Sequence, residues 1–327
     1  MNRKYPLSAA TAVLFTLFAC VAQASAEDLR IGIVGTDSSH AVEFTRILND
    51  ASAADHVPGA KIVAAYRGGN PSMAISRDRI ERFTSTLKDK WHIPFIDAIR
   101  DLCGSTDGIL ILSVDPASRI LEFQQAASCH KPIFVDKPAA ANLHDLAQLD
   151  RIAQHNHIDW FSASALRFLV PAHTDKPLTA EVWGPGELGR LEDGYTLDLS
   201  WYGVHSLEML LAAMGPGIAN VSRIHGANAD IVTAIWSDGR VGVVHLIRPH
   251  TPFRLMTFDR SDSTPILLAI DLNYSPLVHA IVHFFSEKTL ASAMNSQTLE
   301  LFAVMTAADT SSHKGGALVS VINPKLH

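Results

Sequence analysis

Lys137 is well placed in this sequence to exchange a proton with a ligand. It stands in the segment Asp136-Lys137-Pro138, directly after an apolar stretch at 132–135 that predicts a buried strand. Ligands of parallel α/β proteins bind beyond the carboxyl ends of the strands, where a partly desolvated lysine has its pKa lowered toward the range of a general base. The competing interpretation is a structural lysine that pairs with Asp136 or with helix carbonyl groups.

The turn at residues 35–40, with the sequence GTDSSH, follows an Ile/Val-rich run and precedes an amphipathic segment. This is the order of the first strand, turn and helix of a dinucleotide-binding unit, whose pattern G-x-G-x-x-G requires three glycines. Only Gly35 is present, and Asp37 and His40 fill the other two places. A carboxylate about 4 Å from a phosphate, at an effective dielectric near 20, is repelled by roughly 4 kcal/mol. The turn therefore predicts poor dinucleotide binding, unless Asp37 or one of the serines simply caps the helix.

The end of the second predicted strand bears on the choice of cofactor. An NAD site favours an acidic residue there, and none is present. Arg67 could instead meet the 2′-phosphate of NADP, or it could be an arginine in a solvent-exposed loop. We therefore expect no cofactor, with NADP as an alternative. A dinucleotide, if one binds, would contact Gly35, Thr36, Asp37, Ser38 and Arg67.

A divalent metal is a further alternative. His205 and Glu208 are three residues apart and share one face of a predicted helix. Asp37 and His40 lie on a loop that we expect to line the same cleft. Two histidines and two carboxylates are a workable ligand set for zinc or manganese, although the sequence holds no closely spaced ligand motif.

The elements that must position these residues alternate through the first half of the chain. Strands are predicted near 29–34, 61–66, 93–96, 107–114, 132–135 and 159–162, with helices at 71–90, 117–129 and 142–155. This alternation predicts a Rossmann-type doubly wound parallel sheet. In the second half, strands are predicted at 221–225, 231–236, 241–248, 253–258, 265–272 and 317–322, with helices at 276–287 and 296–308. The Asp238-Gly239 turn indicates a hairpin and a largely antiparallel sheet. We predict an N-terminal domain at 27–143 and a C-terminal α+β domain at 144–327.

The beginning of the chain has the pattern of a secretory signal peptide. Arg3 and Lys4 precede an apolar run at 7–22, and small residues follow at 24–26. We expect residues 1–26 to be removed and the enzyme to be periplasmic or secreted. A lipid anchor at Cys20 is the alternative, and the apolar run is short for a membrane span. The net charge of −6 gives no electrostatic reason to bind nucleic acid.

Cys103 and Cys129 each come near the end of a predicted helix, just before neighbouring strands. In an oxidising compartment they could form a disulfide worth about 3 kcal/mol. Two separate buried thiols are the other possibility.

Five motifs in order resemble the Gfo/Idh/MocA (glucose–fructose oxidoreductase, inositol dehydrogenase, rhizopine catabolism) family. They are LRIGIVG at 29–35, DKP at 136–138, SASALRF at 162–168, WYGVHSLE at 201–208 and SSHKGGALV at 311–319. The resemblance implies sugar, cyclitol or other polyol substrates and a homodimer formed through the open sheet. It also implies that Lys137 and His205 flank the nicotinamide ring. The family's aspartate four residues before the histidine is replaced by Trp201, whereas Glu208 matches an acidic position.

Together these observations predict an exported enzyme that acts on a carbohydrate-like or polyhydroxylated small molecule. Lys137 and His205 would be its acid–base groups, for elimination, epimerisation or related chemistry, without an exchangeable nicotinamide. The substrate contacts would be Arg167, Trp201, Tyr202, Glu208 and His40. The alternatives are an NAD(P)-dependent sugar or cyclitol oxidoreductase with a degenerate turn, and a non-catalytic periplasmic binding protein.

Overall fold

The computed structural model describes residues 27–171, 177–189, 196–259, 264–287 and 291–322. The predicted signal peptide and Cys20 lie outside these ranges. Within them, no helix combines the length and the apolar character needed to cross a membrane.

The first half of the chain forms a six-stranded parallel sheet in the order β3-β2-β1-β4-β5-β6. Its strands are β1 (Leu29–Val34), β2 (Ala60–Tyr66), β3 (Phe95–Ile96), β4 (Gly108–Ile111), β5 (Ile133–Val135) and β6 (Trp160–Phe161). The helices between them are α1 (Ser39–Asn49), α2 (Ala74–Ser85), α3 (Arg119–Ala127) and α4 (Leu143–His155). The doubly wound parallel sheet predicted from the sequence is confirmed. The predicted helix at 71–90 begins at residue 74, and its last turn, Thr86–Lys90, is a π-helix.

The second half forms a seven-stranded sheet in the order β12-β11-β7-β10-β9-β8-β13. Its strands are β7 (Thr179–Pro185), β8 (Ile218–His225), β9 (Ala229–Trp236), β10 (Val241–Ile247), β11 (Arg254–Phe258), β12 (Ile266–Ala269) and β13 (Val319–Ser320). The pairings are antiparallel except for β7 with β10, and the predicted hairpin turn has Gly239 at φ +88°. The sheet is therefore largely antiparallel, as expected. Its helices are α5 (Gly203–Met214), α6 (Ser275–Glu287) and α7 (Ala291–His313).

Helix α6 comes from the second half of the chain but packs on the first sheet. Its buried residues Leu277 and Phe284 belong to the same hydrophobic cluster as Ile31 of β1 and Phe44 of α1. This packing holds the segment just before α6, which contains Tyr274, at the carboxyl edge of the first sheet. Strand β6 also belongs to the first sheet although it follows residue 143, and the domain boundary at 143/144 stays a prediction.

Cys103 and Cys129 form a disulfide that joins the connection before β4 to the end of α3. Closing a loop of this length, with a sequence separation of 26, is worth about 3–4 kcal/mol in the chain-entropy account.

We expect reduction of the disulfide to lower the free energy of unfolding by about that amount, which urea titration with and without a thiol reductant would measure. The Cys103→Ser/Cys129→Ser variant should match the reduced protein and ignore the reductant. An oxidised protein no more stable than this variant would contradict the expectation.

Candidate active site

The turn after β1 keeps one glycine for a steric reason. Gly35 has φ +89°, and a Cβ there would lie 2.5 Å from the backbone nitrogen of Ser113, so any other residue would be strained and would clash. Ser38 caps α1 by accepting a hydrogen bond from the backbone N–H of His40 at 3.1 Å. The cap considered from the sequence is therefore present, and Ser38 provides it.

Asp37 is fully buried, and its carboxylate points into the protein. One oxygen accepts a hydrogen bond from the Ser76 hydroxyl at 2.6 Å, and the other accepts from the backbone N–H of Val114 at 3.1 Å. This corrects the expectation that the carboxylate would face the cleft. A buried carboxylate needs hydrogen-bond donors, and the first turn of α2 and the loop after β4 supply them.

The three loops that follow β1, β2 and β4 are tied to one another. The Thr36 N–H donates to the Arg67 carbonyl at 2.9 Å, and the Asn70 amide donates to Asp115 at 2.8 Å. A Cβ on Gly68 would lie 3.1 Å from the Cα of Gly35, so the loop after β2 rests directly on the turn. The loop after β2 thus covers Gly35 and Thr36, whereas Ser38, Ser39 and His40 border a cavity.

His40 reaches from the start of α1 across the carboxyl edge of the sheet. Its Nδ1 lies 2.6 Å from the Asp136 carboxylate, and its Nε2 lies 3.1 Å from the hydroxyl of Tyr274. The ring stacks on Phe44, with centroids 5.4 Å apart. The imidazole therefore occupies the third glycine position and bonds at both nitrogens. Tyr274 was not singled out from the sequence, because nothing near it marks it as close to residue 40.

Lys137 follows β5 and borders a cavity that lies between the two halves of the chain. Burial would raise the pKa of Asp136, but the charges of His40, Lys137 and Arg119 and the hydrogen bond from His40 outweigh it and hold that pKa at about 2. Burial lowers the pKa of the Lys137 ammonium, and Arg119 adds to this effect while Asp136 opposes it. Among the residues that the structure describes, none accepts a hydrogen bond from Nζ, which leaves this amine available to a ligand.

His205 lines the same cavity from the first turn of α5. Its Nδ1 lies 2.6 Å from the hydroxyl of Ser164, whose backbone precedes a short 3-10 helix. Burial and the nearby charge of Lys137 hold the pKa of His205 well below its ordinary value, so the ring is neutral near pH 7. In the described parts of the chain Nε2 has no partner, and it is the nitrogen that a ligand can reach.

Arg119 is a buried residue of the site that the sequence analysis missed. Its guanidinium donates to the backbone carbonyls of Ser113, Asp136 and Pro138. These carbonyls belong to the loops after β4 and β5, so Arg119 fixes the backbone on which Lys137 is mounted. An arginine at the start of a predicted helix has no sequence signal that separates this role from an exposed one.

The cavity between the two halves has a volume of about 540 Å³. His40, Asp136, Lys137, His205 and Tyr274 all border it. Aromatic rings form part of its wall; these are Trp201, Tyr202, Phe253 and Tyr274. A cavity of this size, with several polar groups and aromatic faces, suits a ligand such as a monosaccharide or cyclitol.

Arg167 and Glu208 are not placed at the cavity. They form an ion pair with each other, and Arg167 also donates to Gln297 at 2.8 Å. Both side chains are buried, so desolvation raises the pKa of Glu208 although Arg167 lowers it. The backbone of Ser164 is hydrogen-bonded to Glu208, so the ion pair supports the residue that holds His205.

The four candidate metal ligands do not converge. Asp37 is committed to Ser76 and Val114, and Glu208 is committed to Arg167. Within the described ranges, no three histidine, cysteine, aspartate or glutamate side chains lie close enough to share an ion. This corrects the metal set proposed from the sequence, which assumed that all four side chains face one cleft.

Glu122 lies beneath the turn and makes folding sensitive to pH. Burial raises its pKa to about 7, against opposing effects of the Ser113 hydroxyl and Arg119. The folded protein therefore keeps a proton that the unfolded chain releases near pH 4.5. Stability is full below that pH and falls by roughly 3 kcal/mol as the pH rises through 7.

We expect Glu122→Gln to remove this dependence and to be the more stable protein at pH 8. The amide keeps an oxygen for Ser113 and never ionises. Urea titrations of both proteins at pH 5 and pH 8 would check this, with Glu81→Gln on the exposed face as the control. Equal losses of stability in wild type and Glu122→Gln would contradict it.

This chain is similar to known proteins in structure and not in sequence. No family model matches the sequence, and no curated protein matches it. A myo-inositol 2-dehydrogenase from Lactobacillus plantarum is similar in structure, with a TM-score of 0.69 at 11% identity over 90% of this chain and 100% of that chain. A probable dehydrogenase from Thermotoga maritima gives 0.68 at 15%, over 90% and 100%. The chain has the Gfo/Idh/MocA oxidoreductase fold.

A third solved structure with this fold is an oxidoreductase from Agrobacterium radiobacter in complex with NAD+, L-tartaric acid and magnesium. It gives a TM-score of 0.66 at 18% identity, over 90% of this chain and 99% of that chain. At identities this low the likeness establishes the fold and leaves the reaction open.

The turn of this chain differs from a turn that binds a dinucleotide pyrophosphate. Such a group needs free backbone N–H groups and close approach to the backbone at the helix N-terminus. Here the Thr36 N–H is used by Arg67, the loop of Gly68 covers Gly35, and the ring of His40 occupies the third glycine position. Arg67 itself is exposed and pairs with Glu81 at 3.3 Å, away from the cavity.

Proposed function

We propose that this protein is an exported enzyme that acts on a carbohydrate-like or polyhydroxylated small molecule by acid–base chemistry, without an exchangeable nicotinamide. The observation that carries the proposal is the pair of available nitrogens, Lys137 Nζ and His205 Nε2, on one cavity of about 540 Å³. Both groups have lowered pKa values, which brings the lysine toward the range of a base and keeps the histidine neutral.

The first chemical step would be removal of a proton next to a carbonyl group. Neutral Lys137 takes the proton at Nζ, and the electron pair of the broken C–H bond moves toward the carbonyl oxygen. His205, held by Ser164, presents Nε2 to that oxygen and stabilises the enolate by donating a hydrogen bond. The aromatic faces of Trp201 and Tyr202 would hold the ring of the substrate. The resulting enolate serves either epimerisation or elimination.

The nicotinamide-dependent alternative is supported by the solved structures, of which two contain NAD and another is a putative NADPH-dependent oxidoreductase. Against it stand the loop that covers Gly35 and the ring of His40, as well as Trp201 at the place of the family's aspartate. A non-catalytic periplasmic binding protein is less well supported, since binding alone gives no reason for a free lysine of lowered pKa.

Export and self-association are further parts of the proposal. The signal-like sequence at 1–26 and the Cys103–Cys129 disulfide support an oxidising compartment. A homodimer would form through the open face of the second sheet, on which Ile231 and Ile224 are exposed.

Deuterium incorporation tests the function directly. The mature protein would be incubated in heavy water with D-fructose, D-galacturonate and scyllo-inosose, each of which has a hydrogen next to a carbonyl or carboxyl group. Proton NMR should show enzyme-dependent loss of that signal for at least one probe. Unchanged spectra for all three, together with turnover that requires NADP, would replace the proposal with the oxidoreductase alternative.

A further inference from the structure

The proposed chemistry needs a proton donor that Lys137 and His205 do not supply. Lys137 is used as the base. His205 is neutral near pH 7, because burial and Lys137 lower its pKa, so it can donate a hydrogen bond but holds no spare proton. Protonation of a departing oxygen therefore requires another group on the cavity wall.

Tyr274 meets the geometric requirement for this group. Its hydroxyl lies 3.1 Å from His40 Nε2, and His40 Nδ1 lies 2.6 Å from the Asp136 carboxylate. All three residues border the cavity that Lys137 borders. The ring of Tyr274 packs edge-on against His40 and Phe44, at centroid distances of 4.8 and 5.8 Å, which fixes the position of the hydroxyl.

The order of the three groups gives the direction of proton transfer. The carboxylate of Asp136 accepts from Nδ1 of His40, so the opposite nitrogen, Nε2, is the one that exchanges a proton with the phenol. Burial and the negative charge of Asp136 raise the pKa of Tyr274, so the phenol is protonated in the resting site. Burial and the charge of Asp136 also destabilise the phenolate. Tyr274 must therefore regain a proton from His40 as it gives up its own.

We propose that Tyr274 is the general acid of this site, reprotonated by His40 and Asp136, and that the reaction is elimination of water from a carbonyl-bearing polyol. This inference rests on the proposed function, because it assigns the second half of the same reaction. It adds a catalytic residue and selects elimination over epimerisation, since Tyr274 gives the departing oxygen a donor separate from Lys137.

The step balances without an oxidant or reductant. Lys137 Nζ takes the proton from the carbon next to the carbonyl, and that electron pair forms a carbon–carbon double bond. The bond from the adjacent carbon to its hydroxyl oxygen breaks, and its electron pair leaves with the oxygen. Tyr274 protonates this oxygen to release water, and the phenol regains a proton along its hydrogen bond with His40 Nε2. Proton exchange with solvent then resets Lys137 and His40.

Separating exchange from elimination tests the inference. We expect Tyr274→Phe, in heavy water with the three probes named above, to keep deuterium exchange next to the carbonyl while elimination falls about 100-fold or more. His40→Gln should show the same split, because it removes the proton source and leaves the base in place. Tyr66→Phe, which deletes a phenol outside the cavity, is the matched control and should eliminate at the wild-type rate. Thermal unfolding of each variant confirms that it is folded.

The outcomes distinguish the two proposals. Exchange without elimination in Tyr274→Phe supports the assignment. Equal elimination rates in Tyr274→Phe and wild type overturn the role of Tyr274 but leave the proposed function standing. A wild type that exchanges deuterium but never eliminates water has the same two consequences. A wild type that neither exchanges nor eliminates any probe overturns the proposed function and the inference together.

Discussion

Lys137→Met should abolish both deuterium exchange and elimination, with a loss of about a thousandfold. Methionine fills a similar volume but has no basic nitrogen, so the proton next to the carbonyl has no acceptor. Lys137→Arg should be equally inactive, because the guanidinium stays protonated at all accessible pH values. Rates of deuterium incorporation followed by NMR are the measurement.

The fold should tolerate this substitution. Burial lowers the pKa of Lys137, which means that its charged form is destabilised in the folded protein, so Lys137→Met should be at least as stable as wild type. Lys131→Met, at the opposite end of β5, is the matched control and should exchange at the wild-type rate. Wild-type exchange by Lys137→Met would show that Lys137 is a structural residue.

Arg119→Met should destabilise the protein by about 3–5 kcal/mol. The substitution leaves the carbonyls of Ser113, Asp136 and Pro138 without their donor, and it removes the positive charge that balances the buried carboxylates nearby. Urea unfolding followed by circular dichroism would give the free energy. Arg119→Lys should recover only part of the loss, because an ammonium cannot span the three carbonyls as a planar fork does.

An exposed arginine, Arg30, provides the control for the stability of Arg119→Met. Arg30→Met deletes a surface ion pair with Asp107, whose charges are screened by solvent, and should leave the unfolding midpoint nearly unchanged. A midpoint for Arg119→Met close to that of Arg30→Met would show that the buried guanidinium does not hold the loops after β4 and β5 together.

The fold could be predicted from the sequence because its signals are local. Apolar runs such as that of β4, bounded by polar turns, mark buried parallel strands, and the Asp-Gly pair marks a hairpin. Strand β7 was missed because its alternation of buried and half-buried residues over seven positions is weak and it ends in Gly184-Pro185. The packing of α6 on the first sheet could not be predicted, since it depends on contacts between distant parts of the chain.

The site was predictable where a residue sits at a strand end. Lys137 follows β5, and the parallel topology alone places it at the carboxyl edge. The direction of the Asp37 side chain could not be predicted, because its place in the sequence does not determine its rotamer. Hydrogen bonds from Ser76 and Val114 turn the carboxylate inward. Tyr274 and Arg119 were missed for a related reason, because their roles arise from partners far away in sequence.

The central claim is that the cavity serves acid–base chemistry without a dinucleotide, and titration with NADP tests it most directly. The mature protein, with its disulfide intact, would be titrated with NADP and NAD in a calorimeter and by quenching of tryptophan fluorescence. The covered Gly35 and the ring of His40 at the third glycine position predict no saturable binding below about 1 mM for either nucleotide. Saturable binding with a Kd of a few micromolar, lost when Lys137 is replaced, would contradict the account and make the protein a nicotinamide-dependent oxidoreductase.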